Sequence, residues 1–146
     1  MAFEANEYGR SIAAPGLVLP DQPYTSVSRV AAEAFETEGG FPVFAKKGED
    51  AKCYAASPAS DGYFLGIGQR IVTRDEYPVG APISVVVTGM VWVKVGGDVQ
   101  SGDGVSVNAT GEFVKSDSGT SGLTDVSNAK FMTSATSGSY AVVALK

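Results

Sequence analysis

The run Ile83-Ser84-Val85-Val86-Val87-Thr88-Gly89-Met90-Val91-Trp92-Val93-Lys94-Val95 has the strongest strand character in the chain. Its second half alternates. Val91, Val93 and Val95 fall on one face, with Met90, Trp92 and Lys94 on the other, as a pleated strand with one buried side requires. β-Branched residues dominate it, and they pack well on a pleated surface.

Shorter runs of the same kind lie on both sides, separated by Gly and Pro punctuation. They are Phe41 to Lys46, Ala51 to Ala55, Tyr63 to Gly68 followed by Ile71 and Val72, Val105 to Val107, Glu112 to Lys115, Ala129 to Ser134 and Tyr140 to Leu145. Residues Ala31 to Glu38 have the best helix composition, yet so short a segment is marginal as a helix and serves equally as strand. No 12-residue helical period occurs elsewhere. The expected fold is therefore mainly β, a small β-barrel or β-sandwich spanning residues 31–146.

Residues 1–30 differ. They hold three of the seven prolines, Pro15, Pro20 and Pro23, and their apolar residues come in clumps: Phe3, Tyr8, Leu17-Val18-Leu19 and Tyr24. Each proline removes a backbone donor and biases its predecessor toward extended geometry. The segment reads as an extended N-terminal arm, too apolar for a free linker. It is either a strap over its own domain or an arm that docks on another subunit.

At 146 residues and 44% hydrophobic content the chain can bury a core as one domain, without metal or disulfide staples. It contains no histidine, which excludes a Ser-His-Asp triad, a Cys-His dyad and any His-bearing metal site. Its one cysteine excludes an internal disulfide and fits synthesis in a reducing cytoplasm. A net charge of −5 argues against nucleic-acid binding. There is no run of about 18 apolar residues, so no membrane-spanning helix is expected. Residues 1–10 carry Glu4 and Glu7 and no apolar core of a signal peptide.

Two Gly-Asp pairs, Gly97-Asp98 and Gly102-Asp103, sit five residues apart, each followed closely by a valine. Glycine accepts positive φ, and aspartate bonds nearby backbone amides, so these are turns that drop Val99 and Val105 into the core. The spacing is similar to the first half of biotinyl and lipoyl carrier domains. The following Asn108 to Glu112 has no lysine to modify, so a carrier role is not supported. Asp98, Asp103 and Glu112 match no calcium-loop spacing and read as turn residues.

Glu33, Glu36, Glu38, Asp75 and Glu76 are the candidate acid–base carboxylates, with nothing in their spacing to pair them. Cys53 lies in an alternating stretch with Lys52 on the opposite face, so it reads as a small buried hydrophobe. Trp92 occupies a half-covered face and is a candidate interface anchor. Asn108-Ala109-Thr110 matches a glycosylation sequon without a secretory context. Ser116 to Asn128 reads as a polar loop that lacks the basic residue of a phosphate cradle.

The order of segments from Ala31 onward resembles the small cement, or capsid decoration, proteins of tailed bacteriophages. The carrying residues are Pro82 to Val95, the Gly-Asp turns, Val105 to Phe113, and the ending from Ala129 through Gly138 to Val143. The resemblance implies a non-enzymatic, cofactor-free virion protein on the outer surface of a phage head. It implies clamping of neighbouring major capsid protein subunits against internal DNA pressure, often as a homotrimer. Phe3, Tyr8, Leu17, Val18, Leu19, Tyr24 and Trp92 are the expected capsid or subunit contacts. Two alternatives stay open: a tail or fibre module, and a glycan-binding β module stacking sugars on Tyr54, Tyr63 and Trp92.

Overall fold

A computed structural model of the chain describes residues 4–5, 12–13, 16–19, 22–35, 39–55, 61–70, 76–116 and 123–146. Eleven strands occur among them and no helix. β1 (Glu4–Ala5) and β2 (Ile12–Ala13) form an antiparallel pair of their own. The other nine make one sheet: β3 (Thr25–Ala31), β4 (Pro42–Lys46), β5 (Lys52–Cys53), β6 (Gly62–Gly68), β7 (Pro82–Lys94), β8 (Gly104–Val107), β9 (Phe113–Lys115), β10 (Thr124–Phe131) and β11 (Tyr140–Leu145).

The sheet curls into two rings of paired strands that share β7. In the first, the N-terminal half of β7 lies between β6 and β3, with Val85 opposite both Gly68 and Val27. β3 runs parallel to β5. Tyr54, just after β5, exchanges two main-chain hydrogen bonds with Phe44 of β4, at 2.8 and 2.9 Å. β4 then pairs with β6 and completes the circuit. In the second ring, the C-terminal half of β7 pairs with β11, then β10, β8 and β9 follow in order. Phe113 of β9 returns to Val95 through a parallel bridge, and Gly96 N donates to Phe113 O at 2.9 Å. Closure leaves few free strand edges, the usual way for a small β protein to avoid edge-to-edge association.

Each ring has its own core. Val43, Cys53, Ile83 and Val85 pack with Phe35, Phe41 and Tyr77 in the first. The Phe41 ring stands 4.5 Å from Phe35 and 5.5 Å from Tyr77, the latter edge-on. The second core holds Val91, Val93, Val95, Phe113, Phe131 and Val143, and extends to Phe44, Ile67 and Val86 on the outside of the first ring. β7 serves both because its register slips opposite Thr25 and Ser26, which pair with Thr88 and Val86 and leave Val87 extra. One inserted residue turns every later side chain to the opposite face. Val86 and Val91 thereby reach the same core despite their opposite parity.

The expected β-barrel class holds, and most expected strands appear close to their predicted places. One open reading is decided and one expectation is corrected. Residues 31–38 form no helix where they are described: Ala31 ends β3 and Phe35 makes a β-bridge to Tyr77, so burying Phe35 outweighs the Ala/Glu composition. The predicted loop from Ser116 to Asn128 ends early, because β10 starts at Thr124. Residues 25–30, placed in the arm by their sequence, belong to β3, which continues to Ala31.

Cys53 is fully buried, as expected, with Lys52 exposed beside it. Burial pushes the Cys53 thiol up to about 11, with the Arg29 cation pulling weakly the other way. At pH 8 its reaction with a disulfide reagent should be at least about 100-fold slower than in the urea-unfolded chain. The folded-state value lies above the ordinary 9.0, so keeping this thiol neutral favours the fold fully below about pH 9. That contribution fades as pH rises toward 11, and unfolding midpoints across pH 8–11 measure it.

Candidate functional site

Of the expected contact residues, Phe3 and Tyr8 lie outside the described residues. Phe3 directly precedes β1, and Tyr8 belongs to the stretch joining β1 to β2. Leu17, Val18 and Leu19 lie on the C-terminal half of β7, on the side that β11 does not occupy. Val18 bridges Val91, Trp92 N donates to Leu17 O at 3.0 Å, and Leu19 N donates to Met90 O at 3.1 Å. This is antiparallel pairing, so side chains alternate. Val18 packs onto the second core, while Leu17 and Leu19 share the outer face with Trp92 and Met90. All four are half-buried.

Gly16 fixes this strap. Its N–H donates to Trp92 O at 2.7 Å, and its carbonyl accepts from Arg70 N at 3.0 Å. Its φ is +81°, and a Cβ there would lie 2.6 Å from Gly40 N, 2.7 Å from Arg70 N and 2.8 Å from Gly68 O. Only glycine fits a left-handed position this close to three main-chain atoms. The strap is thus stapled at one point to both rings. Tyr24 is 47% exposed and stands over Gly89 at the end of this face.

The other sequence candidates are separate from this surface. Asp103 Oδ2 accepts from Gln100 N at 2.8 Å, and Asp98 Oδ1 accepts from Ser137 N at 2.9 Å. Asp103 is the predicted local turn acceptor, whereas Asp98 reaches across to a distant turn; Val99 and Val105 are buried behind them. Asn108 Oδ1 accepts from the Thr110 and Glu112 amides, which closes the β8–β9 turn. Glu33 and Glu76 are exposed; Glu36, Glu38 and Asp75 lie outside the described residues. Among the described residues no group of three or more His, Cys, Asp or Glu could hold a metal ion.

The aromatics of the glycan reading do not converge. Tyr54 packs against the second core and its hydroxyl donates to Glu49 at 2.7 Å, a bond that raises its pKa. Tyr63 lies on the opposite face of the same sheet, and Trp92 belongs to the other ring.

The features missed from sequence are Gly16 and β3. A lone glycine carries no sign of three backbones converging on it. For β3, the alternation of Val27, Arg29 and Ala31 was the available signal.

The described residues thus form a two-ring β body with an N-terminal strap on its second ring. A family model described as "Structural cement protein (E217 gp24/Pam3 gp6)" matches residues 3–146. The chain belongs to this phage cement family: it is a capsid decoration protein with a structural role in the virion. Its fold is similar to a chain in the capsid of Myoviridae phage XM1, with a TM-score of 0.72 at 19% identity, covering 99% of this chain and 97% of that one. The N-terminal base of the head fibre gp8.5 of bacteriophage phi29 matches at a TM-score of 0.47 and 13% identity, over 85% of this chain and 95% of that one. No curated protein matches the sequence.

Proposed function

We propose that the protein binds the outer surface of a phage head and clamps neighbouring major capsid protein subunits, as a homo-oligomer with a trimer favoured. The observation that carries this reading is the staple at Gly16. It holds the N-terminal segment to both rings and sets the start of the preceding residues at one fixed point beside Trp92. Those residues include Phe3 and Tyr8, large side chains suited to a neighbouring subunit.

The mechanism is additive binding. A shell under pressure fails when its subunits separate, and a protein that binds only the intact junction stabilises that junction by mass action. Two linked contacts, one from the body and one from the arm, add avidity without any new chemistry. Many equivalent sites multiply a modest energy per site. The unpaired, buried Cys53 suits synthesis in a reducing host cytoplasm.

Cosedimentation with expanded, empty phage heads, followed by a count of copies per capsomer, tests the reading. Removing residues 1–14 keeps the strap and should lower affinity at least about tenfold, or about 1.4 kcal/mol, with the unfolding temperature unchanged. Undiminished occupancy by this truncated chain would remove the arm from the mechanism.

A further inference from the structure

The outer face of the second ring is apolar across four adjacent strands, with Val142 buried in its middle, Leu17, Leu19, Met90, Trp92 and Ala144 half-buried around it, and Met132 exposed. The register sets Leu17, Trp92, Val142 and Met132 in one cross-strand row. A second row holds Leu19, Met90, Ala144 and Lys130. No carboxylate side chain occurs at 16–19, 88–94, 128–132 or 140–146. Three exposed lysines stand around the rows on the same face, Lys94, Lys130 and Lys146. The face runs into an open groove of about 430 Å³, lined among others by Tyr24, Thr88, Met90 and Lys146.

In a chain of net charge −5, this local excess of cations around an apolar centre stands out. Interfaces have an apolar core inside a polar rim, and here the rim is cationic. We infer that this face seats on an apolar patch of the capsid shell whose rim carries carboxylates, an inference that rests on the function proposed above. A symmetric contact between two copies of the face would set three lysines against three lysines, and like charges so placed repel. Strand spacing and rise give the two rows an area on the order of 250 Å². A stable interface needs about 800 Å² from each partner, so this face is one part of the footprint and the N-terminal arm supplies another.

The test uses the full-length chain and heads lacking it, sedimented together at rising salt. The double variant K94E/K130E changes two exposed side chains, so its unfolding temperature should match the wild type. Its affinity for heads should fall about 30-fold, and wild-type affinity should fall as salt screens the rim. Wild-type binding matched by the variant, or indifferent to salt, overturns this inference and leaves the proposed function standing. A variant that alters only self-association in solution also overturns it, by assigning the face to contacts between copies. Failure of the wild-type chain to sediment with heads overturns both.

Discussion

Replacing Gly16 with alanine should detach the N-terminal strap while the two rings stay folded. The new methyl group meets Gly40 N, Arg70 N and Gly68 O within 2.8 Å, all main-chain atoms that cannot swing aside. The left-handed φ of +81° adds a cost of about 1–2 kcal/mol for any residue with a Cβ. Overpacking of this kind adds about 1–3 kcal/mol. The sum, about 3 kcal/mol, is bounded by an alternative: the chain can let go. Detachment gives up the Gly16–Trp92, Trp92–Leu17 and Leu19–Met90 hydrogen bonds and the packing of Val18. Local opening then becomes the cheaper response. Hydrogen exchange reads this directly, because the Trp92 amide is protected by Leu17 O. In Gly16→Ala that amide should exchange at least about 100-fold faster, and chymotrypsin should cut after Leu17. Head binding should fall as far as in the chain lacking residues 1–14, since the arm keeps its residues and loses its origin. Unchanged protection of Trp92 would show that the staple does not hold the strap.

How far the fold could be read depended on how many faces of each strand are buried. β11 was legible to the residue, because Tyr140–Leu145 is an unbroken apolar run bounded by Gly138-Ser139 and Lys146. The half of β7 from Val91 to Lys94 was legible because one face is core and the other is not. Its other half hid its most consequential feature. Val85, Val86 and Val87 are all apolar because the strand has a core on each side there, and a continuous run has no period in which a bulge could show. β3 was missed for the opposite reason: Ser26 and Ser28 are exposed and Val27 is only half-buried, so its signal is faint. The start of β10 offered a single core residue, Val126, before the register shift that precedes Lys130.

The proposed contact surface followed the same rule. Trp92 was legible as a half-covered residue on an alternating strand, and it lies on the apolar outer face. Leu17, Val18 and Leu19 were legible as apolar residues in need of cover. Which of them would turn inward depended on a partner strand more than seventy residues away, through the Val18–Val91 bridge. A pairing between distant residues that ends in a single bridge leaves no local pattern. The lysine rim was invisible for a related reason. Lys94, Lys130 and Lys146 come together only once β7, β11 and β10 are in register.

Gly89 gives the second large effect, and it separates two causes that usually arrive together. Its φ is +130°, and a Cβ would lie 2.5 Å from the Tyr24 Cβ and 3.0 Å from its Cα. It follows the extra residue Val87, where β7 passes from one core to the other. Gly138 offers a control: its φ is +85°, and a Cβ there would meet nothing within 4 Å. Gly138→Ala should therefore cost only the backbone strain, about 1 kcal/mol. Gly89→Ala carries strain and collision together and should cost about 3 kcal/mol, a fall of roughly 10 °C in Tm for a domain of this size. Tyr24 cannot yield easily, because Thr25 beside it is paired with Thr88. The substitution must either push Tyr24 outward or undo the bulge. Pushing Tyr24 outward reshapes the groove at the edge of the lysine-rimmed face, so head binding should weaken beyond what the lost stability explains. Equal Tm losses in Gly89→Ala and Gly138→Ala would mean that the close approach of Tyr24 contributes nothing, and that the bend in β7 is set by its backbone alone.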